Sequence, residues 1–276
     1  LFPASKATKK ELFPIIDKDG IAKPAILLIV EEALEAGIEE VILIVQADDL
    51  PDFQGFFKKQ ISIENYNKLP ANFQDYSRHI LEIGRKISFV IQPRQEGFGH
   101  AIYCAREAIG NEPFLLMLGD HIYRSNNRKS CASQLVEAYQ QHNTNIIGLR
   151  LTPENMIAHF GTVSGVWIES ERLLNINEFA EKPNIDYARQ NLRVPNLPEG
   201  QYLTVFGQYI LQPKLFDFLE ENINNNVREH GEFQLTSALE RLRKDVGFLG
   251  LMMDGKRFDI GLPLAYLHTL QEFIIP

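Results

Sequence analysis

The alternation of short apolar runs with helical segments is the feature that most restricts how this 276-residue chain can fold. Residues 41–45 are apolar at every position, as in a strand that is covered on both faces. They follow a helical segment that begins after Pro24, covers 26–36 and is ended by Gly37. Strands and helices in this order favour parallel pairing with right-handed crossovers. We therefore predict an α/β fold, a three-layer α/β/α sandwich with a mixed, mostly parallel sheet.

The same pattern continues along the chain and predicts the remaining elements. The predicted strands are 87–92, 114–118, 146–151, 203–211, 248–252 and 257–260, with a hairpin formed by 161–168 and 173–179. The predicted helices are one capped by 48–51 and those at 99–109, 130–142, 233–244 and 262–275. Segments 61–86 and 184–202 are predicted to be insertions. Because no linker-like boundary is present, we predict a single domain over 1–276.

Charge and composition exclude several classes of protein. The net charge is −8, with 36 acidic and 28 basic residues, whereas a nucleic-acid-binding protein normally carries a surplus of cations. No stretch approaches the roughly 18 apolar residues of a membrane span, and the first 30 residues contain no secretory signal. The two cysteines, Cys104 and Cys131, make no disulfide framework. We expect a cytoplasmic protein. If it binds phosphates, we expect it to do so with a few positioned basic side chains and a metal.

Polar residues follow several of the predicted strands, and in open α/β sheets ligands bind outside the carboxyl ends of strands. After strand 87–92, Gly97 and Gly99 open a helix whose free amide groups favour an anion or a base edge. Gln92 has one amide donor and one acceptor, which suits a pyrimidine edge. The two glycines alone are equally typical of a structural turn, so this signal is weak by itself.

Two aspartates occupy the positions expected of magnesium ligands. Asp120 follows strand 114–118 and Gly119, and Asp259 stands between a strand and a helix. Hard cations prefer oxygen ligands, and Mg²⁺ is usually held by one or two carboxylates. Each aspartate by itself is also typical of a cap or a turn. Together they predict a site for one Mg²⁺ that bridges two phosphate groups.

Further charged residues offer contacts for a sugar phosphate. Glu181 can accept hydrogens from two sugar hydroxyl groups, and Lys182 can meet a phosphate; a surface ion pair is the alternative. Lys10, in a cation-rich N-terminal stretch, can hold a triphosphate or form a solvated edge. His100 and Cys104 are four positions apart on one predicted helix, but we interpret Cys104 as a core residue rather than a nucleophile.

Eight motifs in sequence order resemble those of the sugar-1-phosphate nucleotidylyltransferases, and among them the bacterial enzymes that use UTP and glucose 1-phosphate. The resemblance covers residues 1 to about 270. The motifs are P-A-S-K-A-x-K-K-E-L-F-P-I, Q-x-x-x-x-G-F-G-H-A, L-G-D, F-G-T-V, E-K-P, V-F-G-Q-Y-I-L, G-E-F-Q-L-T-S-A-L and D-I-G.

The resemblance implies a Rossmann-like nucleotidyltransferase fold, the substrates UTP and glucose 1-phosphate, and the products UDP-glucose and pyrophosphate. It implies Mg²⁺ as cofactor, in-line attack without a covalent intermediate, and a homo-oligomer, a dimer or a tetramer. The implied residues are, for the nucleotide phosphates, Lys10; for the base, Glu11, Gln92 and Gly97; for Mg²⁺, Asp120 and Asp259; for glucose, Gly161, Glu181, Gly207, Glu232 and Gln234; and for its phosphate, Lys182.

The chain departs from the family pattern in two places. The family opens with a strand and a G-x-G-T-R loop directly before L-x-P, whereas this chain starts at Leu1; we expect that loop upstream, and no activity without it. The usual D-K-P-x-I is longer here, at 17–24, which leaves fine specificity open. Two other functions therefore remain: the same reaction with another base or sugar, such as dTTP, and a non-catalytic sugar-nucleotide-binding subunit.

Overall fold

A computed structural model describes residues 1–169, 171–229 and 231–273 of the chain. The helices are α1 (Ala4–Ala7), α2 (Ala25–Glu35), α3 (Leu50–Lys58), α4 (Ile63–Lys68), α5 (Ala71–Arg85), α6 (Phe98–Cys104), α7 (Arg106–Ile109), α8 (Cys131–His142), α9 (Ile185–Asn191), α10 (Leu215–Asn224), α11 (Thr236–Val246) and α12 (Pro263–Glu272). The strands are β1 (Pro14–Ile16), β2 (Ala22–Pro24), β3 (Val41–Val45), β4 (Ile87–Ile91), β5 (Phe114–Met117), β6 (His121–Ser125), β7 (Ile146–Pro153), β8 (Thr162–Glu169), β9 (Leu173–Ala180), β10 (Gln201–Leu211), β11 (Leu249–Met252) and β12 (Gly255–Asp259).

A six-stranded mixed sheet lies at the centre, in the order β5-β10-β7-β11-β9-β8. Alternate residues of its strands enter different cores, as the period of two in a strand requires. Ile147 and Leu149 of β7 pack with α10 and α11, whereas Ile146 packs with Leu135 of α8. Helices thus cover both faces of the sheet. The predicted α/β class and its three layers are confirmed.

The proportion of parallel strands differs from the prediction. Among the described residues, β3 with β4 and β7 with β11 are parallel pairs, and the other pairs are antiparallel. The reason is the second half of the chain, where β8 and β9 form a hairpin and β10 returns between β5 and β7. The sheet is therefore mixed but mainly antiparallel.

A two-stranded ribbon of β6 and β12 lies apart from the central sheet. The register places His121 opposite Asp259 and Ile122 opposite Phe258. Ile122 and Phe258 are buried together in a core that also contains Ile15 and Ile29. The apolar residues of the ribbon fix its position, and its polar end carries the functional groups described below.

Two strand edges face a common cavity of about 1120 Å³. Strand β3 pairs with β4 and strand β5 pairs with β10, and among the described residues neither has a partner on its other edge. Both strands line the cavity together with apolar side chains of α2 and α6, such as Ile29 and Ile102. Unpaired strand edges are templates for another strand, so this cavity has the chemical character of a strand-binding slot.

Several boundaries differ from those predicted. The predicted helix 99–109 is two helices, α6 and α7, which meet at Ala105, and the predicted helix 233–244 begins only at Thr236. Strand β6, helix α10 and the β1–β2 hairpin were not predicted, and both predicted insertions contain helices. The end of the predicted helix 262–275 lies outside the described residues. Within the described part of the chain, every helix is too short or too polar to traverse a lipid bilayer.

Candidate active site

Three charged side chains converge beside Gly261. Lys10 Nζ lies 2.7 Å from Asp120 Oδ2. A Cβ atom on Gly261 would lie 3.0 Å from Asp259 Oδ1, 3.2 Å from Asp120 Oδ2 and 3.8 Å from Lys10 Nζ. The two aspartates that the sequence places 139 positions apart therefore surround one point, together with the predicted phosphate-binding lysine.

The β6–β12 ribbon brings the two carboxylates together. Asp120 immediately precedes β6 and Asp259 ends β12, and the backbone N–H of Ile260 donates to the Asp120 carbonyl at 3.0 Å. The backbone N–H of Gly261 donates to Asp259 Oδ1 at 2.6 Å and orients that carboxylate. Strand pairing thus converts a large separation along the chain into a short distance in space.

Both the acid and the base of this group are charged at neutral pH. The neighbouring His121 side chain, aided by the Gly261 amide, outweighs burial and lowers the pKa of Asp259 to about 2. Burial lowers the pKa of Lys10. The hydrogen bond to Asp120 and the charges of the nearby acids raise it by more, so the pKa lies above its ordinary value. Burial raises the pKa of Glu11, whose Cγ lies near Gly119. At neutral pH the site therefore holds an ionised Asp259 beside a protonated Lys10.

The donor set suits Mg²⁺ that binds together with phosphates. Among residues 1–169, 171–229 and 231–273, no group of three acidic, histidine or cysteine side chains forms a complete metal site. Mg²⁺ commonly takes one or two carboxylates and completes its shell with waters and substrate phosphates. Asp120 and Asp259 supply the two carboxylates of such a site.

Gln92 lies under the loop that follows β4 and is 8% exposed. Its Oε1 accepts from Gln46 Nε2 at 2.9 Å, and its Nε2 donates to the Gly97 carbonyl at 3.2 Å. His100 Nδ1 lies 3.1 Å from the same Nε2. The Gln92 amide therefore holds the loop, and Gln46, at the carboxyl end of β3, is a second polar side chain at this position.

The glycines of the loop allow close contact with the G-E-F-Q-L-T motif. Gly97 has φ +117°, and a Cβ atom there would lie 2.6 Å from the Phe233 carbonyl and 2.9 Å from Glu232 Cβ. The Gly99 N–H donates to the Phe233 carbonyl at 2.8 Å. Glu232 is exposed and accepts from Gln234 Nε2 at 3.1 Å. Glu232 and Gln234 thus lie against the loop that follows β4, which contains Gly97.

Three of the predicted sugar-binding residues lie around a bulge in β10, whereas Glu232 and Gln234 do not. The register of β10 against β7 shifts between Val205 and Tyr209, and Gly207 within the shift has φ +101°. Val205 N–H donates to the Gly161 carbonyl at 2.9 Å, and a Cβ atom on Gly161 would lie 3.5 Å from Glu181 Oε2. Gly161, Glu181 and Gly207 therefore share one wall.

Glu181 and Lys182 differ in how they are held. Thr236 Oγ1 donates to Glu181 Oε2 at 2.8 Å, so that carboxylate is fixed from the start of α11. Lys182 has φ +45°, its side chain is 54% exposed, and its Nζ lies 3.5 Å from Glu181 Oε1. The left-handed backbone turns the lysine out of the strand direction and leaves its ammonium group accessible to an anion.

Five side chains of this region were not identified from the sequence. Gln46 follows a predicted strand directly, so the carboxyl-end rule that selected Gln92 could have selected it as well. Of the others, Thr236 belongs to the G-E-F-Q-L-T motif, His121 directly follows Asp120, and Arg150 and Arg257 lie inside predicted strands that no motif marks. Their proximity to the site depends on strand pairing.

Comparison with known proteins places this geometry in a family. The nucleotidyl transferase family model matches residues 1–273. This chain belongs to the nucleotidyl transferase family. A UTP–glucose-1-phosphate uridylyltransferase of Staphylococcus haemolyticus is 34% identical to this nucleotidyl transferase over 278 residues, which cover 99% of this chain and 87% of the relative.

Solved structures give the same relationship. A UDP-glucose pyrophosphorylase in complex with UDP-glucose matches with a TM-score of 0.80 and 29% identity over 99% of this chain and 93% of that one. A UTP-bound enzyme from Acinetobacter baumannii matches with a TM-score of 0.78 and 26% identity, over 99% of this chain and 88% of that one. The predicted fold, the predicted family and the assignment as a nucleotidyltransferase enzyme are confirmed.

Proposed function

We propose that this nucleotidyl transferase transfers UMP from UTP to glucose 1-phosphate and releases UDP-glucose and pyrophosphate. The observation that supports it most is the convergence of Asp120, Asp259 and Lys10 beside Gly261. Gly97 belongs to the motif Q-x-x-x-x-G-F-G-H-A, which in the family binds the base. Glu181 belongs to the motif E-K-P, which in the family binds the sugar. The names of the relatives, which are 34% identical or less, agree with this reaction.

Asp120 and Asp259 are the proposed ligands of Mg²⁺. When bound, Mg²⁺ would neutralise phosphate charge and align the two substrates. The depressed pKa of Asp259 keeps that carboxylate ionised at any pH at which the protein works. Lys10 Nζ lies at hydrogen-bond distance from Asp120 Oδ2, and a phosphate oxygen would accept from the same ammonium group.

The chain itself supplies mainly position and charge. A sugar 1-phosphate oxygen is already ionised at neutral pH, so the reaction requires no strong general base. It attacks the α-phosphorus of UTP in line, the bond to the bridging oxygen breaks, and pyrophosphate leaves with that electron pair. We propose that Lys10 holds the UTP phosphates, Lys182 holds the sugar phosphate, and Glu181 accepts from sugar hydroxyl groups. We propose that Gly161 and Gly207 contact the glucose ring through their backbone.

Uracil and thymine differ by one methyl group, so few contacts can distinguish the two bases. Gln92 Nε2 is engaged by Gly97 and His100, so we propose that base selection also uses backbone groups of the loop and the Glu11 side chain. The rival reaction uses dTTP with the same phosphate machinery.

A panel of nucleoside triphosphates tests the proposal. Pyrophosphate release is measured on a chain that carries the upstream G-x-G-T-R loop, with glucose 1-phosphate and UTP, dTTP, CTP, ATP or GTP. We expect UTP to give the highest kcat/KM; a clear preference for dTTP would support the rival reaction. The variant Asp120→Asn should lose Mg²⁺-dependent turnover while the protein stays folded, and Asp245→Asn, in an exposed pair with Lys214, is the matched control. Equal, complete inactivity of wild type and Asp120→Asn would favour a non-catalytic subunit.

The phosphate loop of the family belongs to this proposal as well. We propose that a strand in the cavity between β3 and β5 leads into a glycine-rich loop above Lys10. The cavity reaches from the apolar edges of both strands to Lys9, Lys10 and Gly119 at its polar end. Reading the codons upstream of Leu1 tests this: a G-x-G-T-R sequence there supports the enzyme.

We also propose a cytoplasmic homo-oligomer. Both cysteines, Cys104 and Cys131, are free thiols, which suits a reducing compartment. Size-exclusion chromatography with light scattering gives the oligomeric state, and a monomer at micromolar concentration would contradict that part of the proposal.

A further inference from the structure

Arg150 and Arg257 are two neighbouring cations to which the proposed reaction assigns no role. Their Cζ atoms lie 4.6 Å and 4.8 Å from the centroid of the same ring, that of Phe160. Arg257 Nη1 donates to the Val205 carbonyl at 3.1 Å. Within the described residues, Arg150 has no hydrogen bond to the protein, and neither arginine has an acidic partner within 4.0 Å.

The two guanidinium groups are unusually poorly compensated. The Nε atoms of both are buried and without an acceptor in the described structure. Burial lowers the pKa of Arg150 to about 10, and the positive charge of Arg257 adds to the effect. Both groups remain charged at neutral pH, and a buried charge without a partner is destabilising. The ring of Phe160 compensates for part of this, since a cation over an aromatic face is favourable.

The arginine pair lies between the proposed metal ligands and the proposed sugar wall. A Cβ atom on Gly207 would lie 3.6 Å from Arg257 Cδ and 2.8 Å from His121 Nδ1. His121 is 8% exposed, this Nδ1 has no partner among the described groups, and its Nε2 lies 3.9 Å from Asp259 Oδ2. On the other side, Val205 joins Arg257 to Gly161, the residue after Phe160.

We propose that Arg150 and Arg257 form an oxyanion subsite for the sugar 1-phosphate, an inference that rests on the proposed function. The two Nη atoms of Arg150 and Nη2 of Arg257 are not among the buried unpartnered atoms, so they are open to a ligand. A guanidinium group binds a phosphate or a carboxylate through paired N–H donors. The ligand is therefore an anionic group of the sugar substrate, either its 1-phosphate or a carboxylate on the sugar.

The subsite changes how the sugar substrate is recognised. Lys182 alone offers a single exposed point charge on a turn, whereas the arginine pair offers a fixed, ring-supported set of donors. The pair neutralises and orients the anion without any covalent step. An uncharged sugar should consequently gain almost nothing from it.

Calorimetric titration tests the subsite directly. Glucose 1-phosphate, glucuronic acid 1-phosphate, inorganic phosphate, glucose and UTP are titrated into the wild-type protein and into Arg150→Gln, Arg257→Gln and Arg150→Lys. We expect both glutamine variants to bind glucose 1-phosphate at least tenfold more weakly, with UTP affinity changed less than about twofold and partial recovery in Arg150→Lys. Arg189→Gln, in an exposed pair with Glu154, is the control variant.

The two sources of the anion give different results. If the pair binds the 1-phosphate, the losses for glucose 1-phosphate and glucuronic acid 1-phosphate are alike, and inorganic phosphate weakens with them. If it binds a carboxylate, the loss is confined to glucuronic acid 1-phosphate. Unchanged affinity for both sugar phosphates in both glutamine variants would overturn the proposal.

A stability measurement separates a binding role from a structural one. Because the charges lack partners, we expect Arg150→Gln to melt at the same temperature as wild type or roughly 1–3 °C higher. A structural role predicts a lower melting temperature with sugar-phosphate affinity unchanged, which would contradict the subsite. Arginine-dependent binding of phosphate in a protein that does not turn over UTP would refute the proposed reaction and leave the subsite standing.

Discussion

Glu32 is a half-buried carboxyl group that holds the start of another helix. Its Oε1 accepts from the backbone N–H of Ala132 in the first turn of α8 at 2.7 Å. Burial raises its pKa above the ordinary 4.5, against the hydrogen bonds that lower it. Because the pKa is higher in the folded state, the protonated carboxyl group of Glu32 stabilises the folded protein. This stabilisation is complete below pH 4.5 and is lost as the pH rises through the folded-state pKa.

The variant Glu32→Gln should therefore weaken the pH dependence of stability. We expect the wild-type melting temperature to fall more between pH 5 and pH 7.5 than that of Glu32→Gln, because glutamine cannot ionise but still accepts from Ala132. Thermal unfolding at both pH values measures this. Glu107→Gln, an exposed position on α7, is the control and should keep the wild-type dependence. Equal slopes for wild type and Glu32→Gln would show that Glu32 does not titrate in this range.

Lys182 is the residue whose loss should affect the sugar phosphate most selectively. Its ammonium group contacts only Glu181 in the described structure and is held on a turn with φ +45°. We expect Lys182→Gln to lower kcat/KM for glucose 1-phosphate by about 100-fold, since a positioning charge is lost. The KM for UTP should change little. Lys256→Gln, in an exposed pair with Glu272, is the control in the same assay.

At the scale of elements, Lys23 joins the β1–β2 hairpin to two helices. Its Nζ lies 2.6 Å from Asp17 Oδ2 and 3.1 Å from Glu31 Oε2, and its side chain is 7% exposed. Tyr76 of α5 donates to the other oxygen of Glu31 at 2.9 Å. The segment 17–24, which departs from the family pattern, is thereby fixed to α2 and α5.

Removal of this lysine takes the positive charge away from three acids, Asp17, Asp19 and Glu31. We expect Lys23→Met to lower the free energy of unfolding by about 3–5 kcal/mol, because breaking a buried ion pair strands the remaining charges. Lys68→Met breaks an exposed pair with Glu64 and should cost no more than about 0.5 kcal/mol. Denaturant unfolding measures both. A similar small loss in the two variants would mean that solvent screens the Lys23 cluster.

A second prediction at this scale concerns the contact between the loop that follows β4 and the G-E-F-Q-L-T motif. A Cβ atom on Gly99 would lie 2.7 Å from the Gln234 carbonyl, whereas nothing lies within 4 Å of one on Gly55 in α3. We expect Gly99→Ala to destabilise the protein by about 1–3 kcal/mol and to raise the KM for UTP. Gly55→Ala should stabilise it by roughly 0.5–1 kcal/mol through helix propensity. Loss of stability in both would indicate another cause.

The sequence allowed local features of these elements to be predicted, but not their partners. Strand 41–45 has the predicted bounds because an unbroken apolar run between turn signals is a local property. Strand β6 was missed because its His121 and Arg124 are polar in the sequence. His121 is buried opposite Asp259 of β12, and Arg124 Nη1 donates to the carbonyls of Glu272 and Phe273. Asp120, Asp259 and Lys182 were found through motifs, whereas Arg150 and Arg257 depend on Phe160, a contact that no local pattern encodes.

At the scale of the whole molecule, the cavity between β3 and β5 divides the fold. On one side, β3 and β4 pack with α2, α3 and α5 around Phe57. On the other side lies the six-stranded sheet with its own two cores. A strand that paired with both edges would join the two sheets into one and bury the apolar side chains that line the cavity.

A chain extended before Leu1 by a five- to seven-residue apolar strand and a glycine-rich loop tests this arrangement. We expect the amides of Val41–Val45 and Phe114–Met117 to exchange hydrogen more slowly in the extended chain, because the new strand would occupy both open edges. The melting temperature and the affinity for UTP should rise together. The control is the same extension with proline at alternate strand positions, which cannot donate the ladder hydrogen bonds and should leave all three quantities as in the chain that starts at Leu1. Equal protection in the two extended chains would show that the edges are not the binding place of the strand.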